Sequence, residues 1–252
     1  MLNRSRMTRP MWLLLMILLI IGPGEAFLDG GMAGVADWFI STFTMLPGIV
    51  VGLSFHEFAH AKVADLCGDP TPRAQGRVTI DPRAHIDPLG LFSLIFIHFG
   101  WGRPVMIVPS NFDHGKRDRI FVGLAGVTMN LFLAFLFGGI IKLIATVGES
   151  FFFTDFGSIV GQVLIEVIIV NISLMLFNLL PVPPLDGFGV LSDVFNLYGT
   201  SFYYFVMKNS MMILMLLIIF HVPSMLLSTL LWRVANFIMA TVYGLPGWYI
   251  LL

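Results

Sequence analysis

Two histidines, His56 and His60, flank Glu57 in the string His56-Glu57-Phe58-Ala59-His60. A spacing of four on a helix puts both imidazoles on one face. Two ring nitrogens can then share one divalent cation, and the carboxylate between them can reach a water there as general base. The string lies inside the apolar stretch Leu46–Leu66. Ionisable groups are costly in such a setting unless they have a partner or a task, which favours a metal site over an accidental pair of histidines.

A catalytic zinc site uses three protein ligands and keeps one position open. Cys67 is the single cysteine, so the ligands must come from His, Asp and Glu, and Cys67 itself reads as an inert buried thiol. Asp186 is the best third ligand, in Asn178-Leu179-Leu180-Pro181-Val182-Pro183-Pro184-Leu185-Asp186-Gly187. Three prolines break the helix and Gly187 permits an unusual turn, which predicts a rigid, non-helical Asp186. Irregular backbone at membrane depth survives only under a cover of protein or beside a water-filled cavity. The competing reading is a plain exit turn with Asp186 as N-cap. His98 is the rival third ligand, since His85 and His114 fall in polar loops and His221 on the opposite side of the membrane. Asn130 and Asn178 are amides within apolar spans. Each could donate to an oxyanion or hold an unwound substrate strand, and interhelical hydrogen bonding explains either equally well.

The elements that must position these groups follow from composition. Hydrophobic residues make up 57% of the 252 positions and charged residues 12%, with a mean hydropathy of +0.90. Those values exclude a water-soluble globule, and a net charge of −1 gives no general attraction to nucleic acid. An all-α polytopic membrane protein is predicted. Six segments reach the length of about 20 residues that crosses a bilayer: Met11–Leu28, Ala36–Leu66, Ile120–Val147, Ile159–Leu180, Phe202–Phe220 and Met225–Tyr243. Leu89–Phe99 is too short to span and reads as a re-entrant or interfacial element. Pro104–Val108 is β-prone and could offer an edge to an unwound substrate segment. The division expected is an N-terminal anchor over 1–35, a catalytic core of three helices and the re-entrant loop over 36–192, and C-terminal helices over 193–252.

Eleven of the fourteen Lys and Arg residues lie before the first span or between Lys62 and Arg119. The positive-inside rule then places both termini in the cytoplasm, with the metal site toward that side. The first twenty-six residues imitate a secretory signal ending at Gly24-Glu25-Ala26, and a retained anchor helix is expected. Lys142 and Glu166 fall at similar depth on adjacent spans, which predicts an ion pair between them.

His56-Glu57-Phe58-Ala59-His60 followed by Phe177-Asn178-Leu179-Leu180-Pro181-Val182-Pro183-Pro184-Leu185-Asp186-Gly187 resembles the site-2 protease family of intramembrane zinc metalloproteases. Gly76-Arg77-Val78-Thr79-Ile80-Asp81-Pro82, Ala84-His85-Ile86-Asp87-Pro88 and Gly100-Trp101-Gly102-Arg103-Pro104-Val105 are similar to the loop between its first two core helices. Ala125-Gly126 with Asn130 resembles a motif in the second. The resemblance covers Leu46 to Leu191 in family order. It implies one Zn²⁺ per chain on His56, His60 and Asp186, Glu57 as base, and cleavage of a transmembrane protein substrate. A regulatory membrane partner and a bacterial cell membrane are expected with it. Val127 stands where the family commonly has proline, and no PDZ or CBS domain fits the chain. A divalent-metal transporter using the same buried groups is the alternative; it requires polar residues continuing through the outer half of the membrane.

Overall fold

The computed structural model describes residues 9–97, 100–245 and 247–248. Helix α1 runs over Arg9–Leu66, 58 residues, a path of about 87 Å at the α-helical rise. That is nearly three times the roughly 30 Å hydrocarbon layer. The helix breaks at Gly31, whose φ of 61° and ψ of −143° are open to glycine and strained for other residues. Its two arms touch beyond the break. A methyl on Gly22 would lie 2.8 Å from the Trp38 ring, and one on Gly34 would lie 2.2 Å from the Ala26 carbonyl oxygen. The first two predicted spans are therefore the arms of one helical hairpin, turned where a positive-φ glycine allows it.

Two short helices, α2 (Thr71–Ala74) and α3 (Pro82–His85), follow, and then α4, Pro88–Ile97. At ten residues α4 spans about 15 Å, half the layer, in keeping with the expected re-entrant element. Asp87 Oδ1 caps its start, accepting from the Leu89 and Gly90 N–H groups at 2.9 Å each. Phe96 packs on Trp38 of α1 with centroids 5.3 Å apart. The chain returns to pair Ile86 with Gly102 in an isolated antiparallel bridge, and among the described residues no strand forms. The segment 103–108 forms neither helix nor strand, and Val108 at its end has extended backbone. Its N–H groups are taken up by the His85 carbonyl, Glu57 and Asp69, at Arg103, Val105 and Val108 respectively, rather than by a neighbouring strand.

Helices α5 (Lys116–Gly148) and α6 (Asp155–Asn178) pack with the second arm of α1 into the core. Thr154 caps α6 by accepting from Gly157 N–H at 3.0 Å. Between α5 and α6 lie the fully buried Ala134, Ile141, Ile165, Ile168 and Ile172. Gly48 and Gly52 bring α1 close to α6: a methyl on Gly48 would lie 3.0 Å from Val167 Cα, and one on Gly52 2.7 Å from Leu174. Leu143, Val147, Phe153 and Phe156 stand exposed on the outside, apolar surface suited to lipid and costly in water.

Beyond α6 come α7 (Asp186–Val194), α8 (Ser201–Lys208), α9 (Ser210–Ile219) and α10 (Val222–Asn236), the last continuing into a π-helical turn at Phe237–Val242. The pair α8 and α9 bends by 64°. Among the described residues four helices are long and apolar enough to cross a membrane, five if that pair is one span. α1 enters that count once, although its two arms are the first two of the six predicted segments. The chain is an all-α, multi-pass membrane protein.

Candidate metal centre

The second arm of α1 carries His56 and His60 one turn apart, each more than nine-tenths buried. Their Nε2 atoms are 3.0 Å apart, and each lies 3.2 Å from Asp186 Oδ2. Asp186 reaches them because the proline-rich stretch ends α6 and α7 starts at that residue. The Gly187 backbone lies so close to the end of α6 that a methyl would sit 2.3 Å from the Leu179 carbonyl oxygen. As the first residue of α7, Asp186 turns its carboxylate to the imidazoles; Leu185 holds the N-cap position and makes no side-chain cap.

The outer nitrogens of the two rings determine what the inner ones can be. His60 Nδ1 lies 2.7 Å from the Val122 carbonyl oxygen, which can only accept, so that nitrogen carries the proton. His56 Nδ1 donates to Asn130 Oδ1 at 2.6 Å. With one proton per ring, both Nε2 atoms present lone pairs to each other and to a carboxylate oxygen. Asp186 Oδ2 is buried and receives no hydrogen bond. Three acceptors converging on one point repel unless a cation lies between them, and two imidazoles with a carboxylate are a donor set suited to zinc. The second-layer contacts from Asn130 and Val122 orient the rings as metal-bound histidines require. Gly126 of α5 leaves the space: a methyl there would lie 2.5 Å from Nε2 of both histidines.

Glu57 lines the same cavity of about 350 Å³ without joining the three converging atoms. Its Oε2 accepts from the Val105 N–H at 3.0 Å. Val105 and Ile107 of the segment 103–108 and Asn178 also line it. One end of the segment is tethered by Arg77, whose guanidinium donates to the Arg103 carbonyl. At the other end Asp69, fully buried, accepts from Thr71 Oγ1, Val108 N–H and Asn111 Nδ2 at 2.6, 2.7 and 2.9 Å. Asp69 was not singled out in the sequence, and Gly126 entered only through the family resemblance, with no role given; both act through neighbours distant in sequence.

The remaining expectations fall out as follows. Asn130 does not face the cavity: its Nδ2 donates to the Gly52 carbonyl at 3.1 Å and to Asn171 Oδ1 at 2.9 Å, leaving no N–H for an oxyanion. Asn178 lines the cavity and spends one N–H on the Leu174 carbonyl at 2.9 Å. His98 lies outside the described residues. His85 is buried and donates from Nε2 to the Thr79 carbonyl at 2.6 Å, and His114 sits at the surface 3.5 Å from Asp118. The predicted Lys142–Glu166 ion pair does not form. Lys142 is on the exposed face of α5, whereas Glu166 lines a second cavity of about 360 Å³ with Asp37, Ser41, Thr44 and Gln162. Similar depth did not give them the same helix face.

Curated relatives align with most of this chain. It is 36% identical over 146 residues to "Putative zinc metalloprotease YwhC" of Bacillus subtilis, covering 58% of this chain and 66% of that protein. It is 30% identical over 187 residues to "Putative zinc metalloprotease Rip2" of Mycobacterium tuberculosis, covering 72% and 69%. The Mycolicibacterium smegmatis protein of the same name is 26% identical over 200 residues, 77% and 74%. The chain thus spans about two thirds of the length of the first of these relatives. No family model matches it, and no solved structure does. The chain belongs to the site-2 protease family of zinc metalloproteases.

Proposed function

We propose that this member of the site-2 protease family is an intramembrane endopeptidase, hydrolysing a peptide bond within or near a transmembrane helix of a membrane-protein substrate. One observation carries the reading: three lone pairs, from His56, His60 and Asp186, converge beside Glu57 in a cavity lined by Pro104, Val105 and Ile107 of the segment 103–108. His56, His60 and Asp186 would hold one zinc, which when bound supplies Lewis acidity toward water and the scissile carbonyl. Glu57 takes the proton of the attacking water as its oxygen bonds to the carbonyl carbon. When the C–N bond breaks, Glu57 returns that proton to the leaving amine.

A helical substrate conceals its carbonyls in its own hydrogen bonds, so it must unwind before attack. The segment 103–108 is tethered at both ends and lies along the cavity, where it can align an unwound strand. Asn178 is the amide left facing that strand. The distribution of basic residues supports cytoplasmic termini and a site opening to the cytoplasmic side of a bacterial cell membrane. Substrate choice would then rest with the helices or with a regulatory membrane partner.

The outer cavity around Glu166 supplies some of the polarity that a transporter requires. Gly48 and Gly52, which hold α1 tightly on α6, lie between it and the metal centre in sequence on α1, which weighs against ion transit along that seam. The test is cleavage of a single-span model substrate by the purified chain. Glu57→Gln should abolish cleavage with zinc retained, and persistent proteolysis by that variant would reject the assignment.

A further inference from the structure

We infer that Asn171, midway along α6, is a positioning residue for the metal centre, acting through Asn130 to hold the Nε2 lone pair of His56 toward Asp186. The inference rests on the metalloprotease reading. Asn171 Nδ2 donates to the Val167 carbonyl at 2.8 Å. A carbonyl only accepts, so the Asn171 amide has one orientation, with Oδ1 facing Asn130. Asn130 Nδ2 donates to that oxygen at 2.9 Å and to the Gly52 carbonyl at 3.1 Å.

With both N–H groups committed, Asn130 can offer His56 only its oxygen, 2.6 Å from Nδ1. Nδ1 therefore carries the ring proton and Nε2 is left to face Asp186 Oδ2 at 3.2 Å. Both asparagines are fully buried, and so have no water to turn to. A rotated Asn130 amide would set N–H against N–H at His56 and oxygen against two acceptors behind it.

The relay takes one side chain from each core helix: His56 from α1, Asn130 from α5 and Asn171 from α6. Gly52 makes room for it, since a methyl there would come within 3.3 Å of Asn171 Oδ1. Asn171 touches none of the converging ligand atoms. Its effect on the metal passes through two hydrogen bonds and the choice of ring nitrogen.

The experiment measures zinc affinity of the full chain in detergent by competition with a chelator, for wild type, Asn171→Leu, Asn171→Asp and, as a control, His56→Ala. Leucine fills a similar volume without an acceptor and should weaken zinc binding about ten- to a hundredfold, the range found for lost outer-shell partners of metal-binding histidines. Aspartate in its protonated form keeps an oxygen facing Asn130 and a proton to donate to the Val167 carbonyl, and should restore most of that affinity. Wild-type affinity in the leucine variant, or equal loss in both variants, overturns the inference. If the wild type binds zinc no better than His56→Ala, the metalloprotease reading itself fails, and this inference with it. Histidine-selective ¹⁵N spectra of the zinc-loaded wild type need no variant: a proton on His56 Nδ1 supports the relay, and zinc on that nitrogen overturns it.

Discussion

The backbone N–H of Val105 donates to Glu57 Oε2 at 3.0 Å, across 48 residues of sequence. The base of the proposed reaction is thereby tied to the segment 103–108 that would align its substrate. One contact thus couples where the peptide lies to where the proton goes. Val105→Pro removes this donor and leaves the metal ligands untouched. Zinc content should be unchanged while turnover of a single-span substrate falls about ten- to a hundredfold, the cost of a misplaced catalytic group. Unchanged turnover would mean that Glu57 is held by other means.

Gly126 offers a test that separates the metal from the fold. A methyl at this position would lie 2.5 Å from His56 Nε2 and from His60 Nε2. Alanine is also the better helix former, by about 1 kcal/mol. Gly126→Ala should therefore keep helix content and lose zinc, as read by circular dichroism and metal analysis of the same sample. Full zinc occupancy in this variant would show that the imidazoles have room to retreat.

Asp69 sets a pH dependence for the loop. Burial raises its pKa, but hydrogen bonds from Thr71, Val108 N–H and Asn111 outweigh burial and hold it below the ordinary carboxylate value. A carboxyl depressed in the folded state contributes stability that is present above its unfolded pKa, about 4, and lost as pH falls through the lower folded value. Exchange of the Val108 amide with deuterium, corrected for intrinsic rate, should stay slow at neutral pH and accelerate below about pH 4. Asp69→Ala should give fast exchange throughout, and slow exchange in that variant would show that the tether lies elsewhere.

The histidine pair and Asp186 were legible in the sequence because local rules govern both. A spacing of four fixes a helix face, and a run of prolines stops a helix wherever it occurs. That Leu89–Phe99 is too short to span was legible from length alone, and α4 has ten residues. What escaped depends on helix rotation and on partners far along the chain. Lys142 and Glu166 have matching depth, but hydropathy in an evenly apolar span does not say which face each presents. The turn at Gly31 is set by one positive φ, which leaves no mark on a hydropathy profile and so made one hairpin look like two helices joined by a loop. Asn130 was visible as an amide in an apolar helix, yet its commitment to His56, Gly52 and Asn171 required all three helices in place. Val127, standing where the family commonly has proline, leaves α5 helical throughout Lys116–Gly148, and Asn130 reaches His56 all the same.

The central claim is that one zinc is gripped jointly by the two imidazoles of α1 and the carboxylate at the start of α7. Metal content of the purified chain, compared among wild type, Asp186→Ala and Glu57→Gln, tests it most directly. One zinc per chain is expected in the wild type and in Glu57→Gln, and loss of most of it in Asp186→Ala. Full zinc in Asp186→Ala would contradict the account.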